Sequence, residues 1–288
     1  MTMPRLERET TLRTTAPAVS ALHVYPVKSL HGISPGQAVV EPWGLAGDRR
    51  WMLIDVRTRK AVTQRENARL ALLAAEPVGG GGLRVRAPGR DPLDVAVPPP
   101  GPLETAGLFS NTIEVRPAGA AADRWFCDVL AAPVRLVHLD DPAVRRPVDP
   151  EFARPGDTVS LADGYPLLVT TTASLDALNA LIAQGDRAEE GPLPMNRFRP
   201  NVVVDGTGPW AEDGWRRVRI GEVDFRVPKP CGRCVVTTTD QRTGARGKEP
   251  LRTLARHRNF GAKLLFGQNL IPEYSGTLRV GDPFLVVE

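Results

Sequence analysis

From Ala18 onward the chain is dominated by short alternations of apolar and polar residues, broken every few positions by glycine or proline. Alternation with a period of two marks strands buried on one face. It predicts strands over 19–25, 37–40, 50–55, 70–76, 83–87 and 93–97. The run Gly79 to Gly82 lies between two of these and reads as a hairpin turn rather than a phosphate loop, because no helical pattern follows it. Over 123–130 the period lengthens to that of a helix, with Trp125, Val129 and Leu130 on one face. Cys127, alone among apolar neighbours, is assigned to the core. A proline-rich stretch, 140–155, then reads as the junction to a second unit. That unit opens with a strand at 166–171 and a helix at 174–182, with Ser174 as its cap and Leu175, Leu178, Leu181 and Ile182 as its apolar stripe. Strands at 202–204, 217–220, 223–227 and 284–287 and a short helix at 251–257 complete the pattern. The expected fold is mainly β with a few helices (α+β), and a barrel is the natural way to dispose of so many sheet edges. The expected organisation is a disordered leader over 1–17, a small β domain over 18–145 and a β-barrel domain over 146–288.

Composition agrees with a soluble globular protein: 288 residues, 42% hydrophobic and 24% charged. The net charge is +4, but the basic residues are spread along the chain, so no nucleic-acid patch is expected. No apolar run approaches the length that spans a bilayer, and the first 17 residues lack the apolar core of a signal peptide. Three cysteines, two of them close together, suit a reducing compartment better than a disulfide framework. A cytoplasmic protein with no membrane partner is expected.

Those two cysteines lie in Lys229-Pro230-Cys231-Gly232-Arg233-Cys234, which runs into Val235-Val236-Thr237-Thr238-Thr239-Asp240. The β-branched run reads as a strand, and Lys229 and Arg233 favour the thiolate, the form that attacks electrophiles and binds metals. Four readings compete. Structural zinc needs four ligands, and beyond the pair only Cys127 and a lone His257 are at hand. A thioredoxin-like couple needs its first cysteine at a helix start, where a strand is expected. One thiolate could ligate a soft transition metal carried by an anionic cofactor. The pair could also be two small buried hydrophobes. Elsewhere, Arg199 beside Pro200 has little freedom, which suits bidentate contact with a phosphate or metal-oxo group. Lys28-Ser29 and Asp48-Arg49 fall at strand ends, where a sheet can present side chains. The segment Gly244 to Lys248 lacks the hydroxyl residue and the spacing of a P-loop.

The cysteine motif, together with Thr237-Thr238-Thr239-Asp240, Thr243-Gly244 and Lys248-Glu249-Pro250-Leu251-Arg252-Thr253-Leu254, resembles the MOSC domain, named after the C-terminal part of molybdenum cofactor sulfurases. Within that superfamily the chain is similar to bacterial relatives of the mitochondrial amidoxime-reducing component. The resemblance extends to Tyr25-Pro26-Val27-Lys28-Ser29, Gly47-Asp48-Arg49-Arg50-Trp51, Val62-Thr63-Gln64-Arg65, Phe198-Arg199-Pro200-Asn201, Leu265-Phe266-Gly267-Gln268-Asn269 and Gly281-Asp282. It is loose over 79–163.

The resemblance implies a MOSC N-terminal β domain followed by a MOSC β-barrel. It also implies a molybdenum cofactor, a mononuclear metal with one molybdopterin, held by the Cys234 thiolate. By matched motif Lys28, Ser29, Arg49 and Arg199 become the cofactor contacts, and Arg233 is either a further contact or, instead, a residue that tunes the sulfur. The implied activity is reduction of N-hydroxylated small molecules by oxygen-atom transfer to Mo(IV). Electrons would come from a separate donor, a ferredoxin or flavoprotein reductase, because no cysteine cluster for an iron–sulfur centre follows the closing strand before Glu288. The alternative is a cofactor carrier or sulfur-transfer protein acting through the same Cys234.

Overall fold

The computed structural model describes residues 16–261 and 263–288. Seven strands are hydrogen-bonded side by side in the order Ala18–Leu22, Val202–Asp205, Leu167–Thr171, Lys263–Pro272, Val223–Arg226, Arg217–Ile220 and Phe284–Val286. The last returns to the first: Val19 N–H donates to Asp282 C=O at 2.9 Å, and Phe284 N–H donates to Pro17 C=O at 2.9 Å. The sheet thus nearly closes into a barrel. Its ladders are antiparallel apart from 167–171 against 202–205, where helix Thr172–Ala183 makes the crossover that a parallel pair needs. Strand alternation fills the interior: Val218 and Ile220 point inward while Arg217 and Arg219 face solvent. Val19, Val169, Val204, Phe225, Leu270 and Phe284 pack with them. Each such large side chain contributes roughly 1.5–3 kcal/mol by leaving water, so the barrel does not depend on residues at its rim.

A second sheet has the order Ala61–Val62, Trp51–Asp55, Val134–His138, Asn111–Pro117, Glu104–Leu108. Both of its faces are covered, so Trp51 to Ile54 are apolar and buried throughout rather than alternating as expected. Trp51, Leu53 and Leu136 meet helix Ala120–Leu130 through Phe126 and Val129, while Met52, Ile54 and Val137 pack on Ile113 and Val115. The two units interlock. Strand 18–22 belongs to the barrel, and strand Gln37–Glu41 pairs with Gly276–Arg279, so residues from before and after position 145 share sheets.

Several local expectations need correction. The run from Val235 is not a strand but a 3-10 helix, Val235–Thr238. The hydroxyls of Thr237 and Thr238 donate back to the carbonyls of Cys234 and Val235, at 2.9 Å each, and this local bonding outweighs β propensity. The strand here is Pro230–Gly232, which contains Cys231. Ser174 does not cap its helix. Thr171 does, accepting from Ser174 N–H, while the buried Ser174 hydroxyl donates to Glu212 at 2.8 Å. The expected strand at 70–76 divides into a 3-10 turn, Ala68–Leu72, and a strand, Ala74–Pro77. Cys127 is only half-buried at the edge of the core, its sulfur 3.2 Å from Val134 C=O. Of the expected leader, residues 1–15 lie outside the described residues, and Pro17 is already bonded to the closing strand. The glycine run behaves as expected, closing its hairpin with Val78 N–H on Gly82 C=O at 2.9 Å.

Candidate active site

One cleft of about 120 Å³ lies where the rim of the barrel meets the end of the second sheet. Lys28, Ser29, Arg49, Arg199, Arg233 and Cys234, separated by up to 206 positions in sequence, all line it. Cys231 lines it too.

Each side chain is set by backbone the fold holds firmly. Lys28 N–H donates to Trp51 C=O at 2.8 Å, fixing the 28–29 turn to the second sheet. Ser29, Arg49 and Arg199 have φ of 69°, 46° and 53°. Left-handed backbone is costly for residues with a side chain, and its concentration in three cleft residues is the pattern expected where strain serves a ligand site. Surrounding bonds hold it in place. Gln64 donates from its backbone to the Ser29 hydroxyl and from its amide to Ser29 C=O, at 3.2 and 2.7 Å. Arg49 N–H donates to Tyr25 C=O at 2.7 Å, and the Tyr25 hydroxyl donates to Pro200 C=O at 3.1 Å. Tyr25 therefore ties the Arg49 turn to the Arg199 turn. Both guanidinium groups lie over its ring, 4.6 and 4.2 Å from the centre.

The electrostatics favour an anion. Five cations, Lys28, Arg49, Arg65, Arg199 and Arg233, line the cleft against one carboxylate, Asp163. Arg49 is neutralised by buried Asp48 at 2.7 Å and also donates to Asn201 and to Arg199 C=O. Arg199 has no such partner among the described residues: its Nη2 is buried with nothing there to bond, and burial draws the guanidinium down to about 10. A buried charged donor left unsatisfied costs folding free energy unless a ligand completes it.

Burial likewise draws the Lys28 ammonium down to about 8, a fall that Asp163 opposes but does not cancel. Two of its three protons are used, by Leu161 C=O at 2.9 Å and Asp163 at 2.5 Å. The Asp163 side chain is 64% exposed across the open cleft, so water screens this pair and leaves Lys28 able to serve another anion. Desolvation opposes the Asp163 charge, yet Lys28 and Arg65 outweigh it and hold the carboxyl well below the usual carboxylate range. The sign of the pH effect follows. Lys28 is charged below pH 8 and loses its proton as pH rises through 8. The affinity of the chain for sulfate, whose own charge is constant there, should fall as pH rises through that point and level off once Lys28 is neutral, because the arginines of the cleft stay charged. Lys28→Met should weaken sulfate binding and flatten the profile. A flat profile in the unsubstituted protein would show that Lys28 does not bind the anion.

The two cysteines have different surroundings. Arg233 donates to the Cys231 sulfur at 3.0 Å and to Phe198 C=O at 2.6 Å, so its charge is already engaged beside Cys231. Cys234 immediately precedes the 3-10 helix, its carbonyl taking the Thr237 N–H at 3.0 Å, and it lines the cleft together with Arg65. Neither forms a disulfide. No group of three or more His, Cys, Asp or Glu able to cage a metal occurs among the described residues.

Arg65, Asn201 and Asp163 also line the cleft: the first two fall within motifs that assign them no role, while Asp163 and Arg146 lie outside every motif. Buried Arg146 donates to the carbonyls of Ser160, Ala162 and Asp163, shaping the loop that presents Asp163. Nothing local marks either residue. Asp240 of the threonine motif is architectural: it accepts from the N–H groups of Arg242 and Thr243 and pairs with Arg197 at 3.2 Å.

The MOSC domain family matches residues 156–285, and the MOSC N-terminal beta barrel domain family matches residues 16–133. Mitochondrial amidoxime-reducing component 1 of Homo sapiens is 33% identical over 282 residues, covering 92% of this chain and 81% of its own length. The Mus musculus protein of that name is 34% identical over 284 residues, with coverage of 92% and 81%. Mitochondrial amidoxime reducing component 2 of Rattus norvegicus is 31% identical over 287 residues, with coverage of 92% and 82%.

Proposed function

This chain belongs to the MOSC domain family, and from that premise we propose that it is a molybdenum-cofactor-dependent reductase of N-hydroxylated small molecules, supplied with electrons by a separate protein. The observation that carries the reading is the unpartnered guanidinium edge of Arg199, buried in the same cleft as the Cys234 thiol. A soft thiolate and an unsatisfied cationic donor are what a metal on an anionic pterin requires. In this reading Cys234 is the metal ligand. Lys28, Ser29, Arg49 and Arg199 hold the phosphate and polar edge of the pterin, and Arg233 steadies Cys231 and the 198–199 turn. Arg65 places a positive charge beside the Cys234 sulfur.

The bound group would supply two-electron reduction of an N–O bond, with two protons completing water and the N–H product. The chain contributes an electropositive, half-enclosed cleft that fixes the anionic cofactor and leaves one side open to a small molecule.

The test is the molybdenum and pterin content of the purified protein, followed by benzamidoxime turnover. Turnover is expected with reduced viologen, or with a ferredoxin and its reductase, and not with NAD(P)H alone. Stoichiometric cofactor without any turnover would support the carrier reading instead. Stoichiometric iron or flavin would overturn the separate donor.

A further inference from the structure

Beside the cleft runs a second groove of about 370 Å³, between strand Ala61–Val62 and the hairpin that joins Glu104–Leu108 to Asn111–Pro117. Ala61, Thr63, Leu108 and Phe109 contribute to its wall, and Arg65 belongs to both hollows. Phe109 stands at the junction. Its ring centre is 5.3 Å from Lys28 Nζ and 4.7 Å from the Arg65 guanidinium carbon, both of them groups of the cleft.

Folding gives little reason for a phenylalanine here. Leu108 pairs with Asn111, so Phe109 and Ser110 form a two-residue hairpin loop, and Phe109 has a φ of 56°. Such loops favour glycine, asparagine or aspartate, because a bulky side chain in left-handed backbone is strained. The side chain is also 53% exposed, so it forgoes much of the burial that usually recommends phenylalanine. What the position does provide is an aromatic ring held against two cations at the mouth of the cleft, with half its surface open.

We infer that this groove seats the apolar part of the substrate, and that Phe109 selects N-hydroxylated compounds bearing a planar aromatic group next to the N–OH centre. The inference rests on the reductase reading and adds a substrate class to it. With the N–OH end in the cleft near Cys234, the rest of a small molecule leaves past Arg65, the residue common to both hollows. An aryl group there can stack on the open surface of Phe109 and lie along Ala61. Lys60 and Arg65 outnumber the one carboxylate of the groove, Glu66, which already accepts from the Thr63 N–H and hydroxyl, and Lys28 lies beside Phe109, so a neutral aryl tail fits better than a positively charged one.

The test uses benzamidoxime and acetamidoxime, which share the reacting group and differ in the aryl tail, with the cofactor-loaded protein. Dissociation constants are measured calorimetrically without reductant, so that no turnover intervenes, and KM and kcat are measured with reduced viologen. Phe109→Ala should raise the dissociation constant and KM for benzamidoxime about 3- to 10-fold, the worth of an aromatic pair, with kcat and molybdenum content unchanged. Acetamidoxime should be unaffected, and Phe109→Trp should retain benzamidoxime affinity. Equal weakening of the two compounds, or no change for benzamidoxime, would overturn the inference. A protein that binds both compounds but reduces neither would refute the reductase reading, while the binding comparison would still decide the groove.

Discussion

Cys234→Ser is expected to lower kcat/KM for N-hydroxylated substrates by more than about 100-fold, the upper end of what losing a mere outer partner of a metal ligand costs. The molybdenum content of the purified protein should fall with it. A hydroxyl is hard and weakly acidic, so it cannot replace a thiolate on a soft metal, while the barrel beneath it remains intact. Cys231→Ser should keep activity within about fivefold of the parent, the worth of one hydrogen bond. The reason is geometric: the Cys231 sulfur accepts from Arg233 at 3.0 Å, a role that a serine oxygen also fills, whereas Cys234 lines the cleft with no hydrogen bond to its sulfur among the described residues. Molybdenum content and steady-state kinetics of both variants decide the matter. Equal losses from the two substitutions would assign the metal to the pair rather than to Cys234 alone.

The second large effect belongs to Arg199. Arg199→Ala should weaken cofactor retention about 10- to 150-fold, corresponding to a charge-assisted contact of about 1.5–3 kcal/mol. It should leave the thermal stability of the cofactor-free protein unchanged or higher. Burial draws this guanidinium down to about 10, so keeping it charged at neutral pH opposes folding, and the substitution removes that penalty. A residue kept for architecture would behave in the opposite way. Dialysis against a chelator, followed by metal analysis and a melting curve of each cofactor-free protein, separates the two. Full retention of molybdenum together with a lowered melting temperature would make Arg199 a scaffold residue.

The opposing effects expected for Arg199 show how stability and function divide in this protein. The apolar interior, Val218, Phe225, Leu270 and Phe284 among others, carries the fold. Around the cleft the chain instead accepts strained backbone at Ser29, Arg49 and Arg199 and an unsatisfied guanidinium edge. Both features are costs that a bound anion would offset.

Much of this was legible in the sequence. Period-two alternation marks 83–87 and 217–220 as strands because burial on one face of a sheet imposes that period, whatever the rest of the chain does. The longer period of 123–130 marks the helix Ala120–Leu130 for the same reason. All six residues proposed from motifs as cofactor or metal contacts lie on one cleft, since turns at strand ends are where a rigid sheet presents side chains. Other features depend on contacts distant in sequence or on competition between bonds, and only the tertiary structure decides them. The segment after Cys234 has strand-forming residues, yet the Thr237 and Thr238 hydroxyls find carbonyls three residues back and wind it into a helical turn. The meeting of the Arg49 and Arg199 turns rests on a Tyr25–Pro200 bond across 175 positions, and the place of Asp163 rests on Arg146 and Lys28. Arg65 and Cys234, far apart in sequence, line the same cleft, and the Phe109 ring lies beside two cations from other elements. Periodicity records which face of an element is buried. Which charged groups converge on a cleft is settled only when strands far apart in sequence pair.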